Sequence, residues 1–201
     1  MTKAEQLKLV TENCFSIQYI NNPDEEVQLT AVKKNGYSIK HINNPSYKTK
    51  VEAVTNAGGA IKYIHNPDKH IQIRAIEENE CAIEYIVSPD KEIQLKAIEK
   101  SPYVIQIIKN PCKEAQIKAV KKIGRSIYYI NDPDSNVQLE AVKQSPNAIF
   151  YINKPCKETQ IEAIKNSKFN KNIIDCCKQF KEYKEYEDWV NNMIIIKNVL
   201  E

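Results

Sequence analysis

The imidazoles of the chain are His41, His65 and His70, and the thiol nearest to them in sequence is Cys81. Nucleophilic catalysis would join one of these histidines to a thiol or hydroxyl and orient it with a carboxylate. No Ser–His–acid order can be assembled from these positions, and Cys81 reads as a packing residue. His65, Asp68 and His70 have metal-ligand chemistry, but neither HExxH nor a Cys2His2 spacing is present. The adjacent Glu77 and Glu78 read as solvated charges on a polar face. "NAGG" at Asn56–Gly59 follows no strand signal, so it reads as a helix stop and not as a phosphate loop. The expectation is a protein that is not an enzyme, with no cofactor, metal or small-molecule substrate.

Two residue sets remain that could bind a macromolecule. One is cationic. From Val104 to Arg125 the chain carries Lys109, Lys113, Lys118, Lys121, Lys122 and Arg125 against a single carboxylate, Glu114. With Arg74 and Lys96, the residues Lys118, Lys121, Lys122 and Arg125 form a candidate ridge for an acidic partner. The alternative is a solvated face neutralised by pairs at helical spacing, Glu92–Lys96, Glu114–Lys118 and Arg74–Glu77. The other set is aromatic. Tyr63, Tyr85, Tyr129 and Tyr151 recur at intervals of 22 residues or multiples of it, with Tyr19 in the same column and Tyr128 and Phe150 beside it. Such a stripe could stack nucleobases or form a protein hot spot. The alternative is a set of tyrosines lying across structural seams with wet hydroxyls.

The elements that position these residues follow from a repeat. Blocks of 22 residues begin at Ser16, Ser38, Ala60, Ala82, Val104, Ser126 and Ala148 without insertion. Positions 2 and 5 of each block are Ile, position 8 is Pro and position 16 is Ala. Position 7 is Asn, Ser or Asp in six blocks and precedes the proline, which predicts a helix N-cap at 7 and a helix of about 12 residues starting at 8. Gly36, Gly58 and Gly124 then read as stop signals. A shorter helix, partly 3-10, must fit between position 21 and position 6 of the next block. On the longer helix, positions 12, 14, 16 and 17 fan across one apolar face. Position 13 lies within that face yet is Gln in six blocks, from Gln28 to Gln160, with Lys50 the exception. A buried amide needs partners, so the glutamines are expected to bond the loop backbone of a neighbouring block.

"NPDEEVQLTAV" from Asn22 to Val32 resembles the second helix of HEAT repeats and of leucine-rich-variant repeats, with Asn22 and Gln28 standing where those families place an acid and an arginine. The resemblance implies an all-α, right-handed α-solenoid of seven 22-residue two-helix repeats with N- and C-terminal helical caps. The expected organisation is one domain over 1–201: a half-repeat cap at 1–15, repeats at 16–169 and a helical cap at 170–201. Some HEAT-like proteins excise DNA bases with a basic concave face, aromatics and one carboxylate; this chain has neither their repeat length nor a distinctive acid.

Thr2 and Glu5 have capping-box spacing. Phe180, Tyr183, Trp189, Val190, Met193 and Ile194 supply apolar spacing that could close the last block. A homodimer through "WVNNMIII" is the alternative. Charged residues make up 27%, and the net charge is +3, too small to imply nucleic acid by itself. No apolar run approaches a membrane span, and "MTKAEQLKLV" lacks signal-peptide features. Six cysteines without a CxxC read as free thiols; Cys112 and Cys156, two blocks apart, should be too distant to bridge. The expected location is the cytoplasm of the producing cell or of an infected host. The expected function is non-enzymatic binding of another protein through the solenoid surface. One form of it is a phage or bacterial, anti-CRISPR-like inhibitor of a host defence enzyme. The alternative is nucleic-acid binding by the ridge and the stripe.

Overall fold

The computed structural model describes residues 1–200; Glu201, the end of the expected C-terminal cap, lies outside the described residues. Every regular element among the described residues is a helix. Two compact units form, Met1–Ile108 and Lys109–Glu201. The first holds α1 (Lys3–Glu12), α2 (Glu25–Lys34), α3 (Tyr47–Asn56), α4 (Lys69–Glu78) and α5 (Lys91–Lys100), and each α-helix packs on the next. Between them run 3-10 helices at Cys14–Tyr19, Gly36–His41, Gly58–Tyr63, Glu80–Tyr85 and Pro102–Gln106, which also pack on one another in order. The second unit holds α6 (Lys113–Lys122), α7 (Ser135–Gln144), α8 (Lys157–Asn166), α9 (Lys171–Cys177) and α10 (Glu187–Leu200). Its 3-10 helices are Gly124–Tyr129, Pro146–Tyr151 and Lys181–Glu185.

Within a block, the two isoleucine columns follow from 3-10 geometry. Residues three apart eclipse one another in such a helix, so positions 2 and 5 face the same side. Ile17 and Ile20, Ile61 and Ile64, and Ile127 and Ile130 are all buried as pairs. The alanine at position 16 is wholly buried in all seven blocks, from Ala31 to Ala163, as are most residues at positions 12 and 17. Alanine there keeps neighbouring α-helices close.

The N-cap expected at position 7 is corrected. The α-helices run from position 10 to position 19, and the cap is position 9: Asp24, Asp68, Asp90 and Asp134 accept from Val27, Ile71, Ile93 and Val137 N–H at 3.0, 2.9, 2.9 and 3.0 Å. Position 7 has a different task. Asn22, Asn66, Ser88 and Asp132 sit in the left-handed region, at φ 47, 47, 52 and 48°, where Asn and Asp cost least among residues with a side chain. Blocks with Ser46, Cys112 or Cys156 as cap lack that left-handed residue. There the N–H of Ser46 or Cys156 goes instead to the glutamine of the block before, Gln28 (3.2 Å) or Gln138 (3.0 Å). Two loop types therefore occur under one consensus.

The glutamine column is a ladder, with an own-block rung that the sequence reading missed. Gln28, Gln72, Gln94, Gln116, Gln138 and Gln160 each donate Nε2 to the carbonyl of their own block's proline at 2.9 Å. Gln160 is fully buried, and Tyr186 Oη donates to its Oε1 at 2.5 Å. Tyr186, Tyr183, Val190 and Cys177 are buried and close the last block, and burial pushes the Cys177 thiol up to about 12. Tyr186→Phe is expected to lower stability by about 1–3 kcal/mol, because it leaves a buried amide oxygen without its donor; equilibrium urea unfolding measures this.

Cap carboxylates also link adjacent α-helices. Lys3 bonds Asp24 (3.1 Å) and Glu26 (2.6 Å), Lys69 bonds Asp90 (3.0 Å) and Glu92 (2.6 Å), and Lys113 bonds Asp134 (2.7 Å). The N–H of Val27 and then Lys3 hold Asp24 below the usual carboxylate range; Ile93 N–H and then Lys69 do so for Asp90, and Lys113 and then Val137 N–H for Asp134. A depressed folded-state pKa gives stability that is complete above the ordinary carboxylate range and is lost as pH falls through the folded value. Midpoints of urea unfolding are therefore expected to fall below about pH 4, and less in an Asp24→Asn, Asp90→Asn, Asp134→Asn variant.

Candidate functional site

The candidate ridge is largely engaged within the fold. In the first unit, Glu77 accepts from Arg74 at 3.0 Å and from Lys96 at 2.9 Å, and Arg74 also reaches Thr55 Oγ1 at 3.4 Å. In the second, Glu140 takes both Lys121 and Lys143 at 3.2 Å, and Lys118 and Lys122 have interactions of their own. Arg125 lies on a 3-10 helix with its guanidinium 5.3 Å from the Tyr151 ring centre. The Arg74–Glu77 pair forms as read. Lys96 is paired with Glu77 on the preceding helix rather than with Glu92, which Lys69 takes.

The aromatic stripe follows the short helices. Phe15 meets His41 edge-on at 6.1 Å, Tyr37 meets Tyr63 at 6.4 Å, and Tyr128 meets Tyr129 at 5.1 Å and Tyr151 at 5.8 Å. All but the Tyr128–Tyr129 contact, which lies within one short helix, are seam contacts between neighbouring short helices, yet they leave much ring surface wet. Tyr63, Tyr85 and Tyr129 are about two-fifths exposed, Tyr128 64% and Tyr19 75%. Lysines work among the rings: Lys40 Nζ is 5.4 Å from the Phe15 centre, and Lys62 Nζ is 5.6, 4.9 and 5.7 Å from Tyr37, Tyr63 and Tyr85. Lys62 was not legible as a site residue; its signal was position 3, directly before the tyrosine column.

Two clefts open beside this stripe, in the same register in each unit. One, of about 580 Å³, is lined by Lys62, Tyr63, His65, Asn66, Tyr85 and Val87 among others. The other, of about 430 Å³, is lined by Tyr128, Asn131, Asp132, Phe150, Tyr151 and Asn153 among others. Each lies between the short helix and loop of one block and those of the next, with a ladder glutamine, Gln72 or Gln138, in its wall. The side chains at position 6, Asn21, Asn43, His65, Val87, Lys109, Asn131 and Asn153, are all exposed. The structure thus brings Tyr63 with Tyr85, and Tyr128 and Phe150 with Tyr151, beside a groove of amides and proline, whereas Tyr129 packs on Tyr128 and is not in the cleft wall.

The histidines are separated. His41 packs on Phe15, and burial and then Lys40 lower its pKa. His65 Nε2 lies 3.1 Å from Asn66 Nδ2, and His70 Nδ1 lies 3.0 Å from Tyr47 Oη. Among the described residues no group of three His, Cys, Asp or Glu side chains could hold a metal, and no helix is long and apolar enough to cross a membrane. The six cysteines are free thiols. On α10, Trp189 packs on Phe169 at 5.9 Å under Lys165, while Ile195, Ile196 and Val199 are exposed.

No protein-family model matches the chain, and no curated protein or solved structure matches it.

Proposed function

We propose that the chain is a non-catalytic binding protein whose partner is another protein, recognised along the edge made by the short helices and the loops that follow them. The reading takes the seven blocks as a right-handed α-solenoid with a helical cap at either end, so that the edge recurs block after block. The observation that supports it is the recurrence of one cleft in one register in both units, walled by half-exposed tyrosines and exposed asparagines. Tyrosine brings large rigid contact area at small entropic cost, and asparagine brings adaptable hydrogen bonding; recognition loops of binding proteins favour this pairing. The cationic ridge supports the reading less, because Arg74, Lys96 and Lys121 are held by carboxylates of the fold. Action in a cytoplasm, including the covering of an enzyme's surface in an infected host, suits a binder with no chemistry of its own.

The test is capture of a partner by the immobilised full chain from native or host lysate. Tyr63→Ser with Tyr85→Ser, and Tyr128→Ser with Tyr151→Ser, are each compared with Lys118→Glu, Lys121→Glu, Lys122→Glu. At least one tyrosine pair is expected to weaken the complex by tenfold or more, as for interface hot spots, and the charge reversal to change it little. Loss on charge reversal alone would contradict the reading. So would a captured nucleic acid released by modest salt.

A further inference from the structure

Building on that reading, we infer that the cleft of the first unit binds an acidic segment of the partner protein, with a carboxylate meeting Lys62 and an apolar neighbour seated against Tyr85 and Val87. Lys62 is the ammonium that lines this cleft, His65 the imidazole and Tyr63 and Tyr85 the phenols, and no carboxylate lines it. Lys62 is exposed and makes no ion pair among the described residues. The nearest candidate by register is Glu84, at the same position one block on, and no bond joins the two.

The ammonium is also held ready. Three tyrosine rings lie within 6 Å of it, an arrangement that favours the charged form and fixes its place. Tyr63 and then the neighbouring tyrosines raise its pKa. Gly59 makes this ring set possible, since a Cβ there would collide with the Tyr37 hydroxyl. A cation already ordered loses little freedom when a carboxylate arrives. Val87, 93% exposed beside it, offers the apolar contact.

A nucleic acid strand fits less well. Tracking along the short helices, its phosphates would meet Lys40 and Lys62 and then the Glu84 carboxylate, while the ring faces that would stack its bases are taken by Lys40 and Lys62.

The test presents the full chain with a random linear peptide library and compares wild type, Lys62→Glu, Lys62→Gln and Lys62→Arg. Unchanged thermal midpoints check that each variant is folded. Enriched peptides are expected to carry Asp or Glu beside Leu, Phe, Tyr or Trp. Their affinity should fall on the order of tenfold or more in Lys62→Glu, fall less in Lys62→Gln and largely survive Lys62→Arg. Gly59→Ala, which displaces Tyr37 and so loosens an unsubstituted Lys62, is expected to weaken them as well. Basic or uncharged winners, or affinity unchanged by Lys62→Glu, would overturn the assignment. Peptides lost only with Tyr128→Ser and Phe150→Ser would move recognition to the second cleft, overturning this inference and sparing the proposed function. A captured partner with no enriched peptide would do the same. Binding of oligothymidylate that Lys62→Glu abolishes would replace the occupant with nucleic acid.

Discussion

Ile61→Ala is expected to cost about 2–5 kcal/mol, the range for truncating a large buried aliphatic side chain. Ile61 is 1% exposed and stands at position 2, with Ile64 one 3-10 turn later on the same side. The six-residue helix that carries it is too short to persist alone. Its place is set by the apolar contact that these two side chains make beneath the neighbouring α-helices. Removing one therefore loses transfer free energy and also loosens the helix that presents Lys62 and Tyr63. Urea unfolding should show a lower midpoint, and Ile195→Ala, on the exposed side of α10, should change it by far less. Equal effects would mean that position 2 carries no special share of the core.

Gly124→Ala should be the next most costly, at about 1–3 kcal/mol, the usual range for overpacking. The α-helices end just before Gly36, Gly58 and Gly124, as their stop signals predict, but no glycine among the described residues has positive φ. These glycines are sites of close approach. A Cβ on Gly124 would fall 2.5 Å from the Ala141 carbonyl and 2.9 Å from Gln144 Oε1. The Gly124 N–H already donates to that Oε1 at 2.6 Å. Gly36 donates in the same way to Asn56, and Gly58 to Glu78. Where position 21 is Glu80, the matching residue is Lys100, whose ammonium reaches Glu80 at 3.7 Å and the Glu77 carbonyl at 2.6 Å. Gly124→Ala should lower the urea midpoint; a midpoint left unchanged would show that α7 yields without cost.

That correlation between position 21 and position 19 of the next block stood in the sequence unread. Periodicity revealed the columns that are constant, such as Ile at 2 and Ala at 16, because constant residues mark burial without any knowledge of neighbours. It could not reveal columns that vary in step, since pairing Gly36 with Asn56 needs the packing of α2 against α3. The cap was missed for a related reason. Asn-Pro-Asp offers two capping side chains, and only the backbone shows that Asn22 is left-handed while Asp24 bonds Val27 N–H. Periodicity reads charge pairs along one helix, where Arg74 and Glu77 do pair, but it cannot show pairs between helices, such as Lys96 with Glu77. Of the candidate site, the tyrosine column was legible at Tyr63, Tyr85, Tyr129 and Tyr151. The clefts beside it were not, because they arise between the loops of successive blocks.

The claim on which the functional account turns is that recognition happens at the short-helix edge. Backbone hydrogen exchange of the full chain, alone and saturated with its captured partner protein, tests this most directly. Added protection is expected within 61–67 and 85–87, within 128–133 and 150–154, or in both. Protection confined to α6 and α7, around Lys118, Lys121 and Lys122, with the edge unchanged, would contradict it.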